Sequence, residues 1–211
     1  MRHLPALCAA LLLFGAAPAS AQLYGQMTGA VPLAVDQRQF GASVGFTSSQ
    51  LEVLGQLRLC FYPNLDFGFH GGLTRVDLGP SSRTAVEMGT DFKTLVHART
   101  ENFPADLALG AAIGITSADG YDLLSLGPLV VASRTYAMGT NANITPYAGA
   151  VLMFTRADLS AQNSTNVSLP LRFGVQYAPA ADFRLCAELQ AAINNQISDN
   201  PKFVLGANFP F

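Results

Sequence analysis

Apolar residues alternate with small or polar residues along most of the chain from about residue 38 to its end. In the first such stretch, Phe40, Val44 and Phe46 fall on one side of an extended chain, whereas glutamine, glycine and serine residues fall on the other. A period of two residues is that of a β-strand with one apolar face. The pattern therefore predicts an all-β fold.

Turn signals divide this pattern into about ten strands. Clusters of Gly, Pro, Ser and Asn interrupt the alternation repeatedly. The predicted strands are 38–47, 51–62, 65–76, 85–97, 105–116, 122–136, 144–155, 167–177, 183–193 and 202–211. Eight strands remain if the first or the sixth is misassigned. Their lengths are those that a tilted strand needs to cross the hydrocarbon layer of a membrane.

The connections between the strands alternate between two ends of the predicted sheet. At one end we expect polar loops at residues 48–50, 77–84, 117–121, 156–166 and 194–200, of which 156–166 is the longest. At the other end, Pro63 and Asn64 mark a turn. A loop of three residues there would keep the polar faces together, with Tyr62 opposite Asp66 and Arg58 opposite His70.

The first 36 residues do not share the strand pattern. Residues 1–21 begin with Arg2 and His3, continue with an apolar run and end in Ala-Ser-Ala, as a secretory signal peptide does. We interpret residues 22–36 as a periplasmic N-terminal extension, because Gly and Pro interrupt the alternation there. The barrel itself is predicted to cover residues 37–211.

The composition places these strands in a membrane. The chain is 50% hydrophobic and 12% charged, far below the quarter that is usual in soluble domains. After the N-terminus, no run of about 18 apolar residues could form a transmembrane helix. A membrane barrel spreads its hydrophobicity over alternating strands instead. The net charge of -2 predicts no nucleic-acid partner.

The polar faces of the strands decide which way the apolar faces point. They carry mostly Gly, Ser, Ala and single charges, which suits a narrow, crowded lumen. A soluble barrel of the lipocalin kind would need the apolar face inside. Since every backbone group in a bilayer must be paired, strands there must close. We therefore expect a closed, antiparallel, up-and-down transmembrane β-barrel.

The last residues strengthen this interpretation. Gly206, Phe209 and the terminal Phe211 match the spacing of a C-terminal assembly signal, and the chain resembles small outer-membrane β-barrel proteins of Gram-negative bacteria. The resemblance implies location in the outer membrane, contact with its lipid, and periplasmic termini. It also implies delivery by periplasmic chaperones and insertion by the outer-membrane barrel assembly machinery. We expect a monomer.

Charged and histidine side chains on the predicted lumen face are the candidate site. They are Glu52, Arg58, Asp66, His70, Glu87, Asp91, Lys93, Arg172, Arg184 and Glu188, with His97 near the end of its strand. They could form a selectivity lining or, in part, an acid-base site. They could also neutralise one another and fill the lumen, since buried charges must pair. The near balance of acids and bases favours the second interpretation.

Catalytic chemistry finds little support in the sequence. His70 is expected near mid-strand and His97 near the periplasmic end, away from the rim where lipid or peptide would arrive. Cys60 and Cys186 lie on well-separated strands, which predicts two free thiols. We expect no cofactor or metal, and a non-catalytic barrel that is either a narrow porin-like channel or a structural and surface-interaction protein. A lipid-modifying hydrolase or a protease of the outer membrane is the alternative.

Overall fold

A computed structural model describes residues 27–77, 82–159, 162–193 and 201–211. The strands are β1 (Arg38–Phe46), β2 (Gln50–Tyr62), β3 (Leu65–Asp77), β4 (Ser82–His97), β5 (Asp106–Ala118), β6 (Tyr121–Ser133), β7 (Tyr136–Met138), β8 (Ala142–Val151), β9 (Met153–Leu159), β10 (Gln162–Ala180), β11 (Phe183–Ile193) and β12 (Lys202–Pro210). Within these ranges, no helix is long and apolar enough to cross a bilayer.

The strands form one closed antiparallel barrel. Successive barrel strands pair along the chain, and β1 closes the sheet by pairing with β12, where Gln39 lies opposite Pro210 and Phe46 opposite Phe203. β7 continues β6, and β9 continues β8, in unbroken register, so twelve segments make ten barrel strands. The predicted closed barrel of ten strands is confirmed, and the alternative of eight is wrong.

The break between β8 and β9 has a local cause. Leu152 donates its N–H to the carbonyl oxygen of Pro128 at 3.0 Å. Pro128 has no N–H to return, so the ladder loses one bond at this point. The register nevertheless runs through the break, since Val151 pairs with Leu129 and Phe154 with Leu126.

The apolar faces point away from the barrel axis. Every barrel strand exposes at least one large apolar side chain, for example Phe40, Leu57, Phe69, Phe92, Ile113, Leu126, Phe154, Phe173, Leu189 and Leu205. The opposite faces are buried and carry charged residues such as Arg58, Asp91 and Glu188. A continuous apolar exterior with a polar interior is the arrangement of a transmembrane barrel. The lipocalin-like alternative, which needs an apolar interior, is therefore wrong.

One end of the barrel holds both ends of the sheet, and we call it the terminal end. Arg38 and Phe211 exchange two backbone hydrogen bonds there, of 3.0 and 2.8 Å. Exposed aromatic side chains, among them Phe61, Tyr62 and Phe209, surround this end. Aromatic girdles of this kind mark the boundary between hydrocarbon and headgroups.

Two connections differ from the prediction. Tyr62 pairs with Leu65, so the β2–β3 turn has two residues, with Asn64 at a φ of 63°. A β-bulge after Cys60 restores the alternation, and Arg58 consequently lies opposite Gly68 rather than His70. Most of the predicted loop 156–166 is a paired hairpin of β9 and β10 instead.

Several predicted segments lie outside the described residues. They are the predicted signal peptide (1–21), the first part of the predicted N-terminal extension (22–26), residues 78–81 and 160–161 of two predicted loops, and the predicted loop 194–200. The other predicted strand boundaries agree with the structure to within a few residues.

Candidate functional site in the barrel interior

The interior contains a buried ion-pair cluster centred on Arg58. Its guanidinium group donates to Asp91 at 2.6 Å and to Asp66 at 2.8 Å. All three side chains are buried, and Lys93 adds a second cation 3.8 Å from Asp66. His70 lies at the edge of the cluster, with its Nδ1 3.8 Å from Asp91. The strands β2, β3 and β4 thus bind one another through charges as well as through their backbones.

Two further groups of polar contacts cross the interior near β12 and β11. Lys202 donates to Glu52 at 2.8 Å, joining β12 to β2 across the intervening β1. On the other side, Glu188 accepts hydrogen bonds from the hydroxyl of Tyr147 at 2.7 Å and from the amide of Gln190 at 2.6 Å. Each carboxylate therefore has a charged or hydrogen-bonding partner, as a buried charge requires.

Glu87 and Arg172 complete the set of fully buried charged residues that the sequence predicted. The hydroxyl of Thr74 donates to Glu87 at 2.5 Å, which ties β3 to β4. Arg172 is 1% exposed and lies against Gly149 on the neighbouring strand. Arg184, by contrast, is half-buried at the terminal end.

Residues 27–33, which we call the inner segment, lie inside the barrel. The expectation that residues 22–36 form an extension outside it is wrong for this part. The N–H of Met27 donates to Glu188, and its carbonyl accepts from Gln176 at 2.7 Å and from Asn208 at 3.0 Å. Met27 is thereby held to the β10–β12 side of the barrel.

The rest of the inner segment is bound to the opposite side. Lys93 donates to the carbonyl of Gly29 at 2.5 Å, and the N–H of Ala30 donates to Ser133 at 2.8 Å. The N–H of Leu33 donates to Asp66 at 3.2 Å. The segment thus spans the lumen and forms hydrogen bonds with the buried charged groups of Lys93 and Asp66.

Inward-facing glycines make room for the large polar side chains. A Cβ atom at Gly68 would overlap the side chains of Arg58 and Asp91, and one at Gly174 would overlap the ring of Tyr147. The polar faces therefore alternate small and large residues because side chains from several strands must share a narrow space.

A second sector of the interior is apolar. Leu129 and Val131 of β6, Val151 of β8 and Met153 of β9 are at most 4% exposed and pack with Ala30 of the inner segment. Ala108 and Ala112 of β5 belong to the same cluster. Leu129 and Val131 appear in the sequence as interruptions of a polar face, and here they form a dry core instead.

The remaining candidates do not join the ion-pair clusters. His97 is exposed on the outside, since a bulge between Leu95 and His97 reverses its face, and its ring packs edge-on against Phe103 at 5.0 Å. Cys60 and Cys186 are buried free thiols, as expected. Among the described residues, no group of His, Cys, Asp and Glu side chains could hold a metal ion.

The three residues of the C-terminal signal have different positions. Phe209 faces outward and packs against Phe183 with ring centroids 5.3 Å apart, and Phe211 is 68% exposed. Gly206 faces inward, where a Cβ atom would overlap the carbonyl of Ala42 and approach Met27. The terminal strand therefore presents aromatic groups to the membrane boundary and leaves space for the inner segment.

Sequence reasoning missed several residues of this site. Lys202, Tyr147, Gln176 and Asn208 are buried and bind either a carboxylate or the inner segment. Lys202 and Asn208 could have been predicted to face inward, because both lie an even number of residues from Val204 on the same strand. The inner segment itself has no periodic pattern, so the sequence could not place it.

Comparison with solved structures finds distant similarity to outer-membrane proteins. An outer-membrane channel from Pseudomonas putida F1 is 10% identical, with 90% of this chain and 100% of that chain covered and a TM-score of 0.46. The KdgM porin is 5% identical, with 82% and 99% covered and a TM-score of 0.44. Neisserial surface protein A is 16% identical, with 82% and 94% covered and a TM-score of 0.40.

No protein-family model matches the chain, and no curated protein matches it either. The assignment of the chain to a membrane comes from its own distribution of apolar and charged side chains. The sheet is closed, all ten strands expose large apolar side chains, and the ion-pair cluster around Arg58 is inside. Because only a closed sheet with this distribution satisfies both lipid and backbone, the chain is a transmembrane β-barrel.

Proposed function

We propose that the protein is a non-catalytic outer-membrane barrel whose lumen is closed by its own side chains and by the inner segment. The observation that carries this proposal is the position of residues 27–33, bound from both sides of the interior. A permanently open pore would leave such groups in contact with water, whereas here they are buried. The protein then acts as a structural or surface-interaction barrel of the envelope.

The charges support closure rather than selectivity. A selective pore presents one sign of charge at its narrowest part. In this interior Arg58 lies between two aspartates, and Lys202 is bound to Glu52. These two cations are therefore neutralised by direct partners, which leaves them little charge to act on a passing ion.

The histidine positions support the absence of catalysis. His70 borders a cavity of about 10 Å³, which has room for about one water molecule and none for a substrate. His97 lies on the outside against Phe103, at the boundary of the apolar surface. Neither ring is placed to move a proton to or from a lipid or peptide bond.

Planar-bilayer recording tests the proposal. The chain of residues 22–211, left by the predicted cleavage, is refolded, and barrel formation is verified by the mobility difference between unheated and boiled samples. We expect insertion without steady conductance. Steady channels from the wild-type chain would overturn the closed-lumen proposal and restore the narrow-channel interpretation.

A gated channel is the second candidate, because the inner segment is attached to the barrel only by noncovalent contacts over residues 27–33. A variant that lacks residues 22–33 distinguishes the two. Conductance in this variant alone would mean that the segment is a removable gate. Silence in both chains would mean that the remaining side chains close the lumen by themselves, as a purely structural barrel requires.

A further inference from the structure

A pocket of about 390 Å³ opens at the terminal end of the barrel beneath the inner segment. Hydroxyl and amide groups dominate its polar lining, together with one cation. They include Gln37, Ser133, Thr135, Thr145, Gln176 and Arg184. Among the described residues that line the pocket, none carries a carboxylate. Its volume is within the range of sites that bind small molecules.

Arg184 differs from the paired cations of the interior. Arg58, Lys93 and Lys202 each lie within 4 Å of a carboxylate. Among the described residues, Arg184 has no such partner, and its guanidinium donates to the amide oxygen of Gln39, at 3.5 Å. A half-buried guanidinium without an anion retains most of its donors for a ligand.

The side chain beside Arg184 is also incompletely paired. Gln39 is 1% exposed, and its amide nitrogen has no hydrogen-bond partner among the described residues. A buried donor without an acceptor costs free energy unless a ligand or water completes it. Gln39 does not line the pocket, so the charged donors that face a ligand there are those of Arg184.

We propose that this pocket binds a small hydroxylated solute that carries an oxyanion, of about the size of a monosaccharide. Arg184 binds the carboxylate or phosphate through its planar fork of donors. The hydroxyl groups of Thr135 and Thr145, which lie 2.9 Å apart, and the amide of Gln176 face the hydroxyl groups of the solute. Neutral and cationic solutes of the same size lack the charge that Arg184 requires.

Calorimetric titration of the refolded barrel in detergent micelles tests the proposal. Gluconate and glucose 6-phosphate are the anionic probes, which separate carboxylate from phosphate, and glucose is the neutral control. We expect at least one anion to bind at least tenfold more tightly than glucose. Binding of none of the three, or equal binding of all three, would overturn the proposal.

Two variants locate the binding. Arg184→Gln is expected to weaken binding of the anion at least tenfold, whereas Arg156→Gln, which changes an exposed arginine on β9, leaves it unchanged. Unchanged binding in Arg184→Gln would overturn the assignment.

Thr135→Val keeps Arg184 and is expected to weaken binding severalfold, so the site remains testable if Arg184→Gln fails to form a heat-shifting barrel. The readout is independent of conductance, so a failure here leaves the closed-lumen proposal untouched.

Discussion

The charged and the apolar sectors of the interior solve the same packing problem differently. In the charged sector, Arg58, Asp66 and Asp91 fill the lumen with groups that are stable there only as partners. In the apolar sector, Val131, Val151 and Met153 exclude water without any partner. The comparison shows that burial alone does not determine how much stability a substitution in the interior removes. A charged group depends on particular neighbours, whereas an apolar one depends on volume.

The inner segment connects the two sectors. Gly29 and Leu33 use their backbone groups to bind Lys93 and Asp66. Ala30, between them, packs with the apolar cluster. Since backbone hydrogen bonds are directional and methyl contacts are not, the charged sector fixes where the segment lies, and the apolar sector fills what remains.

The largest effect is expected in the charged sector, for Arg58→Met. The substitution leaves Asp66 and Asp91 buried together without their main cation, which should lower the free energy of unfolding by about 3–5 kcal/mol. Urea unfolding of the barrel in lipid vesicles, followed by the gel mobility difference, measures this loss. A midpoint equal to that of the wild type would mean that water reaches the cluster and that the lumen is not dry.

The triple variant Arg58→Met, Asp66→Asn, Asp91→Asn is the control for this prediction. It removes the two anions together with the cation, so no uncompensated charge remains. Replacing a complete buried ion pair is often nearly neutral. We therefore expect it to regain most of the lost stability. If it is as unstable as Arg58→Met, lost packing rather than unpaired charge explains the effect.

A smaller or equal effect is expected in the apolar sector, for Met153→Ala. The side chain is fully buried, and its removal should lower the free energy of unfolding by about 2–5 kcal/mol through lost transfer energy and a cavity. Leu152→Ala is the matched control on the next residue, where the side chain is 42% exposed toward lipid. Equal losses in the two variants would show that the apolar sector is not a packed core.

The face on which a strand residue lies was predictable, because side chains in a membrane barrel alternate strictly between the lipid and the lumen. The inward positions of Glu52, Asp91 and Glu188 follow from the two-residue period and from the turn signals alone. This alternation is interrupted where a β-bulge inserts an extra residue. The bulges at Leu95–His97 and after Cys60 moved His97 to the outside and shifted the partner of Arg58. Neither bulge has a distinct signal in the local sequence.

The inner segment was beyond prediction for a different reason. Its binding uses the backbone groups of Met27, Gly29 and Leu33, which every sequence possesses. Gly and Pro residues in this stretch indicate only that it is not a strand. Its position depends on donors and acceptors supplied by six separate strands, and these come together only after the barrel has closed.

The smallest effect is expected for Arg156→Met on β9. Arg156 and Asp158 also form an ion pair, at 3.1 Å, but their side chains are 59% and 51% exposed. Water and salt screen such a pair, so its loss should change the free energy of unfolding by no more than about 1 kcal/mol. The same urea experiment measures it beside Arg58→Met. Because both variants remove one arginine from an arginine-aspartate contact, their difference isolates burial. A loss as large as that of Arg58→Met would mean that pairing itself, rather than burial of the partners, makes the charged sector sensitive.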